Sequence, residues 1–306
     1  MNRSIQAFAG LAAAAGLGAS VALAAPRSQI VIDDTLVFPE SVTSSADGAI
    51  IMGSIPKHML FRAAPGASKA EPWVKPGTGG LNSVVGVLAD DKDGVLWACS
   101  SDMDNKTAAL KAFSLKTGAF KASYDLPGGG LCNDIVMAKN GDAYVTETDG
   151  GRVLRLKHGA KALEVWAKDP KLSGADGIIF GPGGALYVNT YTTSILVRID
   201  MGADGKPGAI TQLKTSLPLD RPDGFRVGPD GKAYMVEGQG RLDRVAFDGD
   251  TAKIEVLKSG WTIPSAVTFV GDTAWVLEAK LNYLMDPKMK GQDPGPFKVY
   301  AVPIKP

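Results

Sequence analysis

The chain has 306 residues, and its 33 basic and 32 acidic side chains give a formal net charge of +1 at pH 7. Charges of both signs are interspersed, without the basic stripe that binds a phosphate backbone, so nucleic acid is excluded as an expected partner. Two cysteines, Cys99 and Cys132, are too few for a disulfide framework, although they leave one bridge open.

The first residues have the pattern of an export signal. Arg3 supplies the positive start, residues 5–20 form an apolar stretch of small residues, and Ala22-Leu23-Ala24 resembles a cleavage site. A membrane anchor is the alternative, but no second apolar run of about 18 residues follows. We predict a signal peptide over residues 1–24 and a secreted or periplasmic monomer, without membrane association, whose residues 25–306 form one domain.

A strand, a tight turn and a second strand recur along the rest of the chain. In order, the repeats read ESVTSSADGAIIMGS, GVLADDKDGVLWACS, NDIVMAKNGDAYVTE, DGIIFGPGGALYVNT, DGFRVGPDGKAYMVE and SAVTFVGDTAWVLE. Their turn glycines recur every 40 to 47 residues, at Gly48, Gly94, Gly141, Gly184, Gly231 and Gly271. A four-stranded propeller blade has about this length. The sequence therefore predicts an all-β fold, a six-bladed β-propeller.

Two further strand candidates lie outside the repeats. The segment QIVIDDTLV covers residues 29–37, and FKVYAVPI lies close to the C-terminus. We expect the two to pair in one blade, because an unclosed ring would leave a sheet edge open to aggregation.

Polar residues recur eight positions before the turn glycine, where the first strand of each blade lines the channel. This first column holds Glu40, Gly86, Asn133, Asp176 and Asp223, with Ser265 in the shortened last repeat. Clustered carboxylates repel one another unless a cation satisfies them, and oxygen ligands without His or Cys favour Ca²⁺ or Mg²⁺. We predict a metal site at Glu40, Asn133, Asp176 and Asp223. The alternative is that these residues cap turns.

A second polar column lies six positions after the turn glycine. It holds Ser54, Ser100, Glu147, Thr190 and Glu237, with Glu278 in the shortened repeat. We expect it to surround the metal and to bind a polar substrate through residues such as Glu147 and Glu237, the alternative being solvated strand ends. His58 lies on the same side and could assist chemistry, whereas His158 lies in a turn at the opposite end; an exposed loop residue is the alternative for His58.

The segments FPESV, CNDIVMAKNGDAYV, ADGIIFGPGGALYV and RPDGFRVGPDGKAYM resemble hallmark segments of the gluconolactonase/regucalcin family and, more distantly, of diisopropyl-fluorophosphatase and paraoxonase. The resemblance spans the mature chain. It implies that Glu40, Asp176 and Asp223 ligate a divalent metal, with Asp223 also acting as general base. It further implies that Asn133 ligates the metal or contacts the substrate. Ca²⁺ is the expected metal, with Mg²⁺, Zn²⁺ or Mn²⁺ as alternatives.

The chain departs from the family pattern at two positions. The family has Asn where this chain has Asp176, and sugar-lactone members often have Arg where this chain has Leu131. An apolar wall at Leu131 suggests a substrate less polar than gluconolactone. The loop over residues 280–296, with Tyr283 and its neighbours, is the expected lid.

The expected activity is metal-dependent hydrolysis of a small-molecule lactone or related ester, with Asp223 activating water. The sequence has no G-x-S-x-G, G-x-x-x-x-G-K-[ST] or C-x-x-C motif that would suggest another chemistry. Two alternatives remain: phosphotriester hydrolysis at the same metal, and a non-catalytic binding propeller in which Ca²⁺ ties blades together.

Overall fold

The computed structural model describes residues 27–32 and 34–304, so the predicted signal peptide lies outside the described residues. The predicted tight turns are present, because the six turn glycines all adopt the left-handed backbone conformation that a side chain disfavours. Their φ angles lie between 54° and 89°. Each turn joins two antiparallel strands, as the repeated sequence pattern predicts.

The strands have the following bounds. The first five are β1 (Gln29–Ile32), β2 (Val42–Ser44), β3 (Ile50–Gly53), β4 (Leu60–Ala63) and β5 (Lys69–Val74). The next four are β6 (Ser83–Asp90), β7 (Val95–Ser101), β8 (Ala108–Ser114) and β9 (Phe120–Asp125). They are followed by β10 (Cys132–Met137), β11 (Ala143–Glu147), β12 (Arg152–Leu156) and β13 (Glu164–Lys168). Then come β14 (Ala175–Phe180), β15 (Leu186–Thr190), β16 (Ile195–Met201), β17 (Pro207–Gln212) and β18 (Lys214–Thr215).

The remaining strands are β19 (Pro222–Val227), β20 (Ala233–Glu237), β21 (Arg241–Asp248), β22 (Thr251–Ser259), β23 (Pro264–Val270), β24 (Thr273–Glu278) and β25 (Phe297–Pro303). One short helix, α1 (Asn282–Met285), lies between β24 and β25 in the described chain, which also contains 3₁₀ turns at Thr78–Gly80, Pro170–Leu172 and Pro182–Gly184. No helix in residues 27–32 and 34–304 has the length and apolar character needed to cross a membrane.

The strands of the described residues form five hydrogen-bonded sheets. Three are four-stranded and run in chain order, from β6 to β9, from β10 to β13 and from β14 to β17. A fourth has the order β18-β22-β21-β20-β19. The fifth has eight strands, in the order β2-β3-β4-β5-β1-β25-β24-β23, and consists of two four-stranded halves that meet at a parallel pairing of β5 with β1.

The first strand of each hairpin repeat lies at the centre of the molecule. We call β2, β6, β10, β14, β19 and β23 the inner strands. Each contacts the next in this order, and β23 contacts β2, so the inner strands form a closed ring. Sheets arranged radially around such a ring form a β-propeller, which confirms the predicted all-β propeller fold.

The ring is closed by strands from the two ends of the chain. β1 pairs antiparallel with β25, with Gln29 opposite Tyr300 and Ile32 opposite Phe297. The side chains of Ile32 and Phe297 are fully buried in one apolar cluster, so the closure is packed as well as hydrogen-bonded. This pairing confirms the predicted closure.

The apolar core lies between adjacent sheets and leaves the central channel to polar groups. Tyr144 packs edge-on against Trp166 of its own sheet and Phe180 of the next, with ring centroids 5.1 and 5.6 Å apart respectively. The two cysteines form a disulfide between β7 and β10, with Cα atoms 5.1 Å apart, which resolves the question that the sequence left open.

Candidate metal centre

The first polar column meets in the channel, because the inner strands are irregular where its residues lie. The register of β10 shifts between Cys132 and Ile135, so Asn133 has no partner on β11. The shift in β14 lies around Asp176 and that in β19 around Asp223. Such bulges redirect side chains, and here they direct the column toward the channel.

Three carboxylates form the centre of this site. One oxygen from each of Glu40, Asp176 and Asp223 lies within 4.8 Å of the other two. We call these residues the carboxylate triad. All three are buried, with 8%, 5% and 2% of their surface exposed respectively. The structure therefore brings together the three residues that the sequence predicted as charged metal ligands.

Neighbouring backbone atoms explain two other members of the column. A Cβ atom on Gly86 would lie 1.8 Å from the carbonyl oxygen of Asn133, so β6 can approach β10 this closely only with glycine there. The hydroxyl of Ser265 donates a hydrogen bond of 2.5 Å to the carbonyl of Glu40. These two residues set the packing of the ring, and neither adds a charged ligand.

Asn133 lies beside the triad, but its amide nitrogen faces the carboxylates. Nδ2 donates to Oδ2 of Asp176 at 3.0 Å and to the hydroxyl of Thr148 at 3.1 Å. In this orientation Asn133 orients a carboxylate and does not present a ligand oxygen. Ligation by Asn133 requires rotation of the amide, which would exchange its oxygen and nitrogen.

Burial makes the carboxyl groups of the triad unusually weak acids. Desolvation raises the pKa values of Glu40 and Asp223 well above their usual range, and the neighbouring carboxylates, Asp176 first, raise both further. Desolvation, followed by the charge on Asp134, raises the pKa of Asp176 to about 7. Without a cation, the folded chain therefore favours the protonated form of these carboxyl groups. A divalent cation would instead stabilise their charged form.

The donor set fits a hard divalent cation. The cavity that the triad lines has a volume of about 10 Å³, close to the minimum that one bound water needs. Among the described residues that line it there is no His or Cys, and carboxylate oxygens are the ligands that Ca²⁺ and Mg²⁺ prefer. The three residues fit an ion of this class by chemistry, burial and spacing.

Below the triad, the channel contains an ion pair that the sequence analysis missed. Both guanidinium Nη atoms of Arg226 bond the carboxylate of Asp134, at 2.6 and 2.8 Å. Asp134 also accepts a hydrogen bond from the backbone of Ile178 at 3.1 Å. Asp134 immediately follows Asn133, and Arg226 lies three positions after Asp223. The columns one and three positions after the first column each contain one of these charged residues, and this is the signal that could have found them.

Side chains of the second strands hold the triad's backbone in place. The hydroxyl of Thr146 donates to the carbonyl of Asp176 at 2.5 Å. The amide of Asn189 donates to the carbonyl of Asp223 at 2.5 Å and accepts from the backbone of Gly177 at 2.8 Å. Thr146 and Asn189 each immediately precede a member of the second column, so the same neighbouring column would have identified them.

The second polar column forms anchors inside the molecule. Glu147 and Glu237 are fully buried, and each forms a salt bridge within its own sheet, with Arg152 at 2.7 Å and with Arg241 at 2.6 Å. Glu147 also accepts hydrogen bonds from the backbone of Leu131, in the loop before β10, and of Gly150, in the turn after β11. Glu237 accepts from the backbone of Asp220, in the loop before β19, and from the side chain of Gln239. No surface of either side chain is open to a substrate, so we correct the predicted binding role of Glu147 and Glu237 to loop anchoring.

The other members of this column act similarly. Ser100 accepts a hydrogen bond from the backbone of Asn82 at 2.9 Å, and Glu278 accepts one from Thr262 at 2.7 Å. Ser54 donates to the carbonyl of Val37 at 2.5 Å. The alternative of solvated strand ends is also wrong, because Ser54, Ser100 and Glu278 are buried.

His58 and the expected lid lie at the triad end of the hairpins. His58 is half-buried in the loop between β3 and β4, and it is not among the residues that line the triad cavity. In the 280–296 loop, Tyr283 and Leu284 pack against the apolar cluster that contains Phe38 and Phe297, while Met285 is 72% exposed. The loop is thus packed on the propeller, and its role as a lid stays a prediction.

Comparisons with known proteins bear on the fold. The chain matches no protein-family model and no curated protein. A gluconolactonase from Xanthomonas campestris superposes with a TM-score of 0.65 and 15% identity, over 90% of this chain and 89% of that chain. Luciferin-regenerating enzyme gives a TM-score of 0.65 at 12% identity, over 90% and 95% of the two chains. Virginiamycin B lyase from Staphylococcus aureus gives 0.61 at 20% identity, over 91% and 88%.

At these identities the likeness shows a common fold and leaves the chemistry open. The chain is therefore a β-propeller of the kind found in gluconolactonases and luciferin-regenerating enzyme, which confirms, at the level of fold, the resemblance found in the sequence.

Proposed function

We propose that this protein is an exported, monomeric, six-bladed propeller that hydrolyses a lactone or related ester with a bound divalent metal, Ca²⁺ first. One observation carries the proposal: three buried carboxylates, from three separate inner segments of the ring, converge within 4.8 Å. A folded chain keeps such a costly arrangement when a cation or a reaction requires it. The structural similarity to a gluconolactonase supports the choice of substrate class.

The residues of the triad would bind the metal and transfer a proton. Glu40, Asp176 and Asp223 would hold the metal, which when bound supplies Lewis acidity toward a substrate carbonyl. Asp223 would take a proton from the attacking water, whose oxygen bonds to the carbonyl carbon. The ring C–O bond then breaks, and the alkoxide takes up a proton to give a hydroxy acid.

Two hydrogen bonds hold Asp223 in place, as a general base requires. The backbone N–H of Gly224 donates to its Oδ1 at 2.9 Å, and Asn189 fixes its carbonyl. The carboxylate is therefore fixed relative to the other two members of the triad. Asp223→Asn should retain the shape of the site and part of its metal affinity, and should lower turnover by about a hundredfold or more.

The test is hydrolysis of a panel of alkyl lactones, sugar lactones and one phosphotriester by metal-stripped protein, before and after Ca²⁺ is added. Asp248→Asn, at the exposed end of β21, is the matched control and should behave like the wild type. Lactone turnover that Ca²⁺ restores and Asp223→Asn loses supports the proposal. Turnover of the phosphotriester alone would move the assignment to the phosphotriesterase alternative.

A second candidate is a non-catalytic propeller in which the ion only ties the ring together. The volume of about 10 Å³ around the triad favours it, because this space fits an ion and no substrate. A much larger cavity of about 1080 Å³ lies at the turn-glycine end of the channel, with Ile135, Ile178 and Arg226 in its lining. Tight Ca²⁺ binding that raises the melting temperature, with no turnover of any panel member, would favour this candidate.

A further inference from the structure

A backbone hydrogen bond defines equivalent positions around the mouth of the channel at the triad end. In each case, an N–H just after the second strand donates to the carbonyl of a residue that precedes the first strand. The pairs are Ile55 to Phe38, Thr148 to Leu131, Tyr191 to Gly174, Gly238 to Arg221, and Ala279 to Ile263. We call Phe38, Leu131, Gly174, Arg221 and Ile263 the rim positions. Arg221 is the one charged residue among these five.

Arg221 lies two residues before Asp223, just as Leu131 lies two residues before Asn133. The two residues are therefore equivalent both in sequence register and in backbone hydrogen bonding. The position is apolar at Leu131, whereas a guanidinium occupies the equivalent position beside Asp223.

The side chain of Arg221 is held in place yet accessible. Its Nε donates to the carboxylate of Asp220 at 3.1 Å, and its backbone N–H donates to the hydroxyl of Ser194 at 3.0 Å. It packs over Gly238, where an added Cβ would lie 3.2 Å from the Cβ of Arg221. The side chain is 42% exposed, so a ligand arriving at the mouth can reach it.

Tyr191 connects this guanidinium to the triad. Its phenol interacts electrostatically with the guanidinium of Arg221, and its backbone N–H donates to the carbonyl of Gly174, the rim position of the neighbouring blade, at 2.9 Å. Burial raises the pKa of Tyr191 and the charge on Asp223 raises it further, as expected for a phenol close to the carboxylates. Arg221 and Tyr191 thus border the metal centre on one side of the mouth.

The part of the mouth next to Arg221 is apolar, because β23, which Ile263 precedes, contacts β19, and β2, which Phe38 precedes, contacts β23. Phe38 and Ile263 occupy their rim positions there, and Ile55, Tyr283 and Leu284 pack in the same apolar cluster. A ligand at this part of the mouth therefore meets an apolar wall directly beside a cation and a phenol.

We propose that Arg221, supported by Tyr191, binds a carboxylate of the substrate, so that the protein acts on lactones or esters that combine an apolar part with a carboxylate group. This inference rests on the proposed hydrolase function. A guanidinium has five N–H donors in a planar fork that matches a carboxylate. Asp220 engages the Nε donor of this fork and leaves the Nη donors for a ligand. The pair with Asp220, whose side chain is 50% exposed, is of the weak surface kind that a ligand can rearrange.

The experiment compares a γ-lactone carrying a side-chain carboxylate with the corresponding primary amide. Arg221→Gln should lower kcat/KM for the carboxylate substrate by about tenfold or more, mainly through KM, and change that for the amide by less than about twofold. Arg221→Lys should retain part of the preference, because it keeps the charge and loses the fork. Arg198→Gln is the control, since Arg198 also pairs with a nearby aspartate, at 2.8 Å, but is not a rim residue. Equal losses on the two substrates, or no loss, would overturn the inference.

Calorimetric titration of Ca²⁺-loaded protein with hexanoate and with hexanamide tests the subsite without turnover. The wild type should bind hexanoate more tightly, and Arg221→Gln should lose this difference while its Ca²⁺ affinity stays unchanged. If the wild type hydrolyses neither lactone, the proposed function fails, and hexanoate binding that depends on Arg221 still supports the anion subsite. Hexanoate binding equal in wild type and variant rejects the subsite, whatever the activity.

Discussion

Arg226 and Asp134 lie 92 positions apart in the sequence, and their side chains meet in the channel through two hydrogen bonds of 2.6 and 2.8 Å. Asp134 belongs to β10 and Arg226 to β19, so the pair crosses the ring of inner strands. Its position directly below the carboxylate triad means that the positive charge of Arg226 partly offsets the effect of burial on Glu40, whose pKa it lowers.

We expect Arg226→Met to destabilise the protein by about 3–5 kcal/mol, because it leaves the carboxylate of Asp134 buried without its cation. Urea unfolding monitored by tryptophan fluorescence measures this loss. The double variant Arg226→Met/Asp134→Leu should be much less destabilised than the sum of the two single variants, since it removes both charges. Strictly additive losses would show that the two side chains do not stabilise each other.

The disulfide between Cys99 and Cys132 should stabilise the fold by about 2–4 kcal/mol, because it closes a loop with a sequence separation of 33 residues and thereby restricts the unfolded chain. We expect the double variant Cys99→Ala/Cys132→Ala to unfold at lower urea concentration than the oxidised wild type. Dithiothreitol provides the control, because it should destabilise the wild type and leave the variant unchanged. A wild type insensitive to full reduction would contradict this prediction.

Asp243 should make stability depend on pH. Burial, followed by the neighbouring Glu237, raises its pKa to about 8, while the guanidinium of Arg241, 2.9 Å from its Oδ2, acts in the opposite direction. The unfolded chain releases this proton near the ordinary aspartate pKa of about 3.9, so the folded state binds more protons between these values. Stability conferred by the protonated group is complete at acid pH and declines as pH rises toward about 8.

Asp243→Asn removes this titration. From pH 5 to pH 8, the free energy of unfolding of the variant relative to that of the wild type should rise by about 1 kcal/mol or more. Urea unfolding at both pH values measures this change. Asp243→Leu also removes the titration. The fold should accept leucine there, because Leu154 occupies the equivalent position on β12, opposite Val145 as Asp243 is opposite Met235. An unchanged difference between wild type and both variants across this pH range would show that Asp243 is already ionised at pH 5.

Removal of residues 29–37 should abolish cooperative folding, because β25 would lose its partner and the ring its closure. A milder test compares Ile32→Thr with Val31→Thr. Ile32 is fully buried, so Ile32→Thr should lower the free energy of unfolding by about 1–3 kcal/mol. Val31 is half-buried, so Val31→Thr should lower it by less than about 1 kcal/mol. Thermal unfolding measures both. A truncated chain as stable as the full protein would contradict the closure.

The sequence alone predicted the features that repeat. A strand, a turn with a left-handed glycine and a second strand recur with a blade's spacing, and each repeat depends on local preferences that act within a few residues. Aligning the repeats placed Glu40, Asp176 and Asp223 at one position, and a closed ring necessarily brings equivalent positions together. For the same reason the pairing of β1 with β25 could be predicted.

The tertiary structure decided what differs between repeats. Whether Glu147 and Glu237 face solvent or an internal arginine depends on which loop folds over them, and the amide orientation of Asn133 depends on Thr148 and Asp176. The disulfide and the pair of Arg226 with Asp134 join residues on different inner or second strands. Such contacts depend on distances across the ring, which periodicity does not encode, because side-chain pairing is set by close packing between sheets that are remote in sequence.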